Sequence, residues 1–230
     1  MKSSTTVIFT GGPHRIADLR AATADLSPDL VIAADSGLTA AKSIGISVDV
    51  VVGDMDSVSA KDLQNCIDGG GHAVRYEEDK DATDLKLALD LALDPAPAPN
   101  RPTDSPWKLL IVGSRSGRLD HLLSWTQMVS APRFGALANT CEVTAWMGAT
   151  VLLPVFGTRV ITGRPGSLIS LIASHGTATG VNTSGLKWNL AEAELESFSS
   201  VGVSNRFVGD VAEISVRSGV VSVVIPEEET

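Results

Sequence analysis

Asp79, Asp81 and Asp84 fall within six positions in DKDATDLKLALDL (79–91), directly after Glu77 and Glu78. Carboxylates crowded in this way repel one another unless a cation answers them. Further acids stand in short clusters of the same kind: Asp35 in ADSG (34–37), Asp54 and Asp56 in GDMDS (53–57), and Asp120 in GRLDH (117–121). Lys80, Arg115 and Arg118 add positive charge to these clusters, and Gly11, Gly12, Gly37 and Gly117 permit close backbone approach. Acids, arginines and glycine turns together suit the handling of a polyphosphate with Mg2+. That ion takes hard oxygen ligands and bridges one or two carboxylates to phosphates. Guanidinium forks match phosphate oxygens, and backbone N–H groups at helix starts hold anions. The cation implied by the acidic stretch is therefore Mg2+, brought in with a nucleotide.

Clusters spread over more than a hundred residues need a scaffold that gathers them. Apolar runs rich in Val, Ile and Leu precede them: TTVIF (5–9), DLVIAA (29–34), VDVVV (48–52), HAVRY (72–76) and WKLLIV (107–112). Uninterrupted runs of this type suit strands buried on both faces. Helical stretches alternate with them at 14–25, 37–44, 59–67, 82–93 and 119–130. The alternation predicts an α/β domain, a doubly wound, mostly parallel sheet with helices on both faces. Each polar cluster follows a strand, so all of them reach the carboxyl edge of the sheet, where ligands bind. The Pro-rich segment 94–106 reads as a surface loop. From about residue 148 the segments become short, β-branched and separated by Gly, Pro, Asn and Ser, with a helical period only at 191–197. This predicts a C-terminal antiparallel β-sandwich or barrel. The expected domains are 1–147 and 148–230.

Composition narrows the function classes. With 18 basic and 27 acidic residues the formal net charge is −9, which disfavours a general nucleic-acid or membrane-surface binder. Cys66 and Cys141 give neither a disulfide framework nor a zinc spacing. The N-terminus lacks the pattern of a signal peptide, and no apolar run approaches the ~20 residues of a membrane helix. A cytoplasmic protein is expected.

Simpler readings exist for each motif. Asp81-x-x-Asp84 suits a helix N-cap with an acidic third position, and GDMDS suits a turn with Ser59 capping the next helix. Arg118 and His121 suit an exposed helix start. Their joint occurrence at five successive strand ends is harder to explain as punctuation. GLTAAKS (37–43) has Ala41 where a P-loop needs Gly, and GSRSGR (113–118) does not fit G-x-G-x-x-G. Two rivals remain at this point. Asp54-Met-Asp56-Ser57-Val58 fits the D-x-D-x-[TV] pattern of haloacid-dehalogenase-like phosphatases with Asp54 as nucleophile. A non-catalytic binding module, a small-molecule or nucleotide sensor that keeps the fold, is the other.

In order and spacing, AADSG, VVGDMDS, KDATDLKLAL, GSRSGRLDHLLS, TSGLKWNL (183–190) and VSNRF (203–207) resemble thiamine pyrophosphokinase. The resemblance implies a homodimer with an ATP- and Mg2+-binding α/β domain and a β domain that completes the thiamine pocket. The implied reaction moves the β,γ-diphosphate of ATP to the hydroxyl of thiamine, leaving AMP. Asp54, Asp56 and Asp84 then match acids at the metal and the transferring group, and Asp81 a further acid of that cluster. Arg118 matches the arginine of the Gly-Gly-Arg-x-Asp segment and is counted with those three acids as catalytic. The nucleotide candidates are Gly11, Gly12, Asp35, Ser36, Gly37, Arg115, Arg118, Asp120 and His121. The thiamine candidates are Lys80, Asp81, Ser184, Trp188, Ser204 and Asn205, with Trp188 supplied by the partner subunit. Thiamine is a cation, which suits an acidic site and an aromatic platform. Three departures stand out. Ser36 and Ser116 occupy positions where the family often has Gly, and Lys80 stands where some relatives carry Gln.

Overall fold

The computed structural model describes residues 3–24, 26–77, 79, 81–93 and 106–227. Lys80 and residues 94–105 of the Pro-rich segment lie outside that range. The chain packs as two compact units, residues 1–125 with 140–149, and residues 126–139 with 150–230.

The first unit is a six-stranded parallel sheet. Its strands are β1 (Ser4–Phe9), β2 (Leu30–Ala34), β3 (Val50–Gly53), β4 (His72–Arg75), β5 (Trp107–Gly113) and β6 (Cys141–Met147). They lie in the order β4-β3-β2-β1-β5-β6. Val7 aligns with Val31 on one side and with Leu110 on the other, which fixes β1 at the centre. Burial on both faces explains the continuous apolar runs. Val7, Phe9, Val31, Ala33 and Val51 pack into a core with Leu19 of α1 (Ile16–Ala22), Leu38 of α2 (Gly37–Ser43) and Leu63 of α3 (Ala60–Asp68). Ile8, Ile32, Val52 and Ile111 point the other way and are also fully buried. On that face α4 (Asp84–Leu93) lies along β1, β2 and β3 with Leu85, Ala88, Leu89 and Ala92 inward.

The order reverses at β1: β2, β3 and β4 extend to one side, β5 and β6 to the other. A crevice opens between the carboxyl ends of β1 and β5 at such a point. The doubly wound sheet expected from the sequence is present. Strand β6 is an addition, since CEVTAWM alternates buried and half-exposed positions instead of forming a solid apolar run.

The second unit is antiparallel, as expected. It contains α5's last turn (α5, Leu119–Val129), a 3-10 turn (Pro132–Leu137), and strands β7 (Thr150–Val155), β8 (Thr158–Thr162), β9 (Leu168–Ser184), β10 (Ala193–Leu195), β11 (Asn205–Arg206), β12 (Val211–Ser215) and β13 (Ser218–Ile225). Strand β9 runs for 17 residues and joins two sheets. Its first half pairs with β13, which pairs with β7. Its last residues pair with β12, which pairs with β8. Between the sheets pack Leu153, Ile161, Ile169, Leu171, Val181, Phe207, Ile214 and Val223. The helical period at 191–197 is overruled: Ala193–Leu195 is a strand on β9. Three residues with one buried side chain, Leu195, gain more from completing the ladder than from a helix too short to sustain itself.

Candidate active site

The loops after β1, β2, β3 and β5 and the start of α4 meet at the carboxyl edge of the parallel sheet. Gly53 ends β3 at φ 146°, a backbone region that suits glycine. A Cβ there would lie 3.0 Å from Asp84 Oδ1 and 3.2 Å from Asp35 Cβ. The bare glycine thus lets two acids from other elements close over β3. Next in the chain, Asp54 Oδ1 accepts the Asp56 N–H at 3.2 Å, a turn that brings both carboxylates to one side. Ser57 Oγ donates to Asp56 Oδ1 at 2.8 Å.

Among the described residues, Asp35, Asp54 and Asp56 each place a carboxylate oxygen within 4.8 Å of the other two. Asp35 is 8% exposed, and its Oδ1 is buried with no hydrogen-bond partner. Its backbone is left-handed, φ 46°, and its N–H donates to Val52 O at 2.8 Å, so strand pairing with β3 holds it in that strained form. Burial pushes the Asp35 carboxyl above its ordinary pKa; the Asp84 and Asp56 carboxylates add to this, against the Ser36 N–H and the Ser57 hydroxyl. An orphaned buried oxygen beside three further carboxylates is a donor set for a hard divalent cation. Mg2+ fits it, because charge and oxygen ligands are what it requires.

Asp84 opens α4, but the helix is capped by its neighbour. Thr83 Oγ1 accepts the Lys86 N–H at 3.3 Å. Asp81 is therefore not the N-cap that its spacing suggested, and its side chain is exposed outside the acidic trio. Ser59 does cap α3, accepting from Asp62 N at 3.1 Å.

The phosphate-type loops flank the acids. Gly11 faces the Ser36 hydroxyl so closely that any Cβ would collide with it, and a Cβ on Gly37 would strike the carbonyl of Phe9. A Cβ on Gly12, φ 115°, would come within 2.9 Å of Ser114 Cβ. Ser114 is buried; its Oγ donates to Pro13 O at 2.6 Å and accepts from Ser116 N at 3.1 Å. It ties the β1 loop to the β5 loop at the order reversal. A lone serine after a strand resembles any turn residue, and only its position directly at the end of WKLLIVG marks it in the sequence. The serines standing for family glycines do no harm to the backbone, since Ser36 has φ −61° and Ser116 is not among the left-handed residues.

Arg118 and Asp120 are exposed and pair with each other: Nε to Oδ1 at 3.2 Å and an outer nitrogen to Oδ2 at 2.6 Å. That bond holds Asp120 below and Arg118 above its ordinary pKa. The His121 N–H also donates to Asp120, at 3.0 Å. The His121 side chain is exposed, and Arg115 packs its aliphatic stem against Gly148.

In the second unit, Asn205 is 2% exposed and fastens Trp188 from both sides. Its Oδ1 accepts the Trp188 N–H at 3.1 Å and its Nδ2 donates to Trp188 O at 2.7 Å. Asn205 is a support, with the indole, 55% exposed, presented outward. Ser184 ends β9 exposed, and Ser204 takes φ 60° with its N–H on Ser170 Oγ at 3.0 Å.

Residues 26–138 match the family model for the thiamin pyrophosphokinase catalytic domain, and residues 159–221 match that for its vitamin B1 binding domain. Together they span well over half of the chain. The chain belongs to the thiamin pyrophosphokinase family. Solved structures of thiamine pyrophosphokinases share its fold. That from Bacillus subtilis is 21% identical, with a TM-score of 0.78, over 98% of this chain and all of the other. That from Candida albicans is 14% identical, with a TM-score of 0.77, over 98% of this chain and 90% of the other. A protein from Lactobacillus plantarum is 24% identical, with a TM-score of 0.72, over 99% of this chain and all of the other. No curated protein matches the chain. Membership makes this an enzyme, a diphosphotransferase that converts thiamine to thiamine diphosphate, with thiamine bound through the C-terminal domain. Neither the phosphatase nor the sensor reading finds support.

Proposed function

We propose that the diphosphate donor is ATP with Mg2+, and that the acidic edge of the parallel sheet is where transfer occurs. The observation that carries this is the orphaned Asp35 Oδ1 within the Asp35–Asp54–Asp56 trio, beside Asp84. Asp54, Asp56 and Asp84 would hold the metal, with Asp81 joining from its exposed position and Asp35 completing the donor set. A bound Mg2+ supplies neutralisation of the charge that spreads over the transferring group.

The residues of the chain do the rest. Gly11, Gly12, Ser36 and Gly37 let backbone N–H groups approach the nucleotide, and Ser114 keeps the two loops in register. Arg115 and Arg118 answer phosphate charge, with Asp120 and His121 flanking them. Phosphoryl-type transfer asks for alignment and charge stabilisation more than for covalent help. Thiamine's hydroxyl must be set in line with the donor, and Trp188 suits this as a fixed aromatic face for a flat cation. Ser184 and Ser204 would line the same pocket, Asn205 would support it, and Lys80 would contact the pyrimidine ring. The division at residues 147/148 would separate nucleotide from thiamine recognition.

We further infer a homodimer with composite sites, Trp188 serving the partner's acids, and a cytoplasmic location, which suits Cys66 and Cys141 as thiols. The family resemblance supports the dimer. Incubation with ATP, Mg2+ and thiamine tests the donor: AMP and thiamine diphosphate are expected in equal amounts, and release of ADP instead would overturn it.

A further inference from the structure

Trp188 does not present an empty face. Lys187 Nζ lies 4.6 Å from the centroid of its ring. Both backbones are fixed: Asn205 holds Trp188 through its N–H and its carbonyl, and the Lys187 N–H donates to Arg206 O at 2.9 Å. Leu186, just before them, is 2% exposed and bridged to Phe207. The loop is therefore rigid where it carries the indole, and the ammonium is tethered over the ring by a flexible stem. An ammonium over an indole face is attracted by the ring quadrupole, the same attraction that a planar cationic heterocycle would use.

We propose that Lys187 is an affinity-setting residue of the binding face, a tethered cation that occupies the Trp188 ring and must be displaced by a cationic ring. This rests on the reading of Trp188 as the thiamine platform. Any ligand that uses the ring face must first displace the lysine, so the lysine weakens all such binders by the same factor. Apparent affinity falls in proportion to the fraction of protein with the face uncovered. The charge of Lys187 offers thiamine, itself a cation, no direct attraction.

The test is calorimetric titration of thiamine into the intact protein. Lys187→Met should tighten binding about 2- to 5-fold, the scale of an exposed cation–π contact. Lys187→Arg should weaken it, because guanidinium stacks on aromatic faces more effectively. In a Trp188→Ala background Lys187→Met should change nothing. Looser binding in both single variants, or tighter binding that persists without the indole, would overturn the proposal. If Trp188→Ala alone leaves thiamine affinity unchanged, the platform reading itself fails, an outcome distinct from failure of the lysine. Melting temperatures of all variants confirm that the comparison is among folded proteins.

Discussion

The hydroxyl of Ser114 donates to the carbonyl oxygen of Pro13 at 2.6 Å, joining residues 101 positions apart. Ser114→Ala removes that bond and leaves Pro13 O and Ser116 N without their partner. The expected loss is about 1–3 kcal/mol of stability, the range for a buried polar group left unsatisfied. On the proposed role of these loops in holding the nucleotide without reacting, the KM for ATP should rise more than the turnover falls. Steady-state kinetics with a melting curve check this; unchanged KM would detach Ser114 from nucleotide binding.

Asp54→Asn and Asp56→Asn keep side-chain shape and remove a charged oxygen. Turnover should drop by at least ~10²-fold, the scale of one lost electrostatic stabiliser in a reacting site. Thermal stability without metal should hold or rise, since carboxylate repulsion is relieved. Near-normal turnover in both variants removes these residues from the mechanism.

The Arg118–Asp120 pair predicts a pH signature. Asp120 has its folded pKa depressed, chiefly by the guanidinium bonds. Its pairing therefore contributes stability above the ordinary carboxylate pKa that disappears as pH falls through the lowered value. Arg118→Met should abolish that part of the acid sensitivity. Nucleotide drawing the guanidinium fork to phosphate should likewise move the Asp120 titration upward. Carbon-detected NMR titration with and without ATP reads this directly, and identical curves would mean that the fork does not change partners.

A mixed dimer tests the composite site. Asp54→Asn and Trp188→Ala proteins, unfolded and refolded together, give half mixed dimers under random pairing. If each site draws on both subunits, one site in a mixed dimer carries both defects and the other none. About a quarter of wild-type activity should then return. No recovery, with mixed dimers verified by mass, rules out sharing.

The parallel sheet was legible because strands buried on both faces must be apolar throughout, as VIAA (31–34) and VDVVV show. β6 escaped because Glu142 stands exposed within CEVTAWM and breaks the apolar run. The length of β9 was not legible, since Gly176 and Gly180 look like turn residues that separate short segments; in the fold they sit at φ 108° and 61° and bend one strand between two sheets. In the site, spacing alone revealed the acids of GDMDS. It did not reveal that Asp35 is buried with them, because that depends on the absent side chain of Gly53 and on pairing between β2 and β3. Asn205 was found by its motif, but the hydrogen bonds that make it a support belong to three-dimensional contact alone.

Strand β9 pairs with β13, β12, β10 and β11. Neither β10, β11, β12 nor β13 can detach without stripping bonds from this one segment. Local openings that release a backbone amide to solvent are cheap only where few other contacts break with them. The amides of Ile169, Leu171, Ala178 and Val181, all buried, should thus exchange hydrogen for deuterium only when the entire unit opens. They should do so at one common rate, while the 196–204 loop exchanges early. The 196–204 loop would then open and close freely beside a spine that keeps its protons until the unit unfolds.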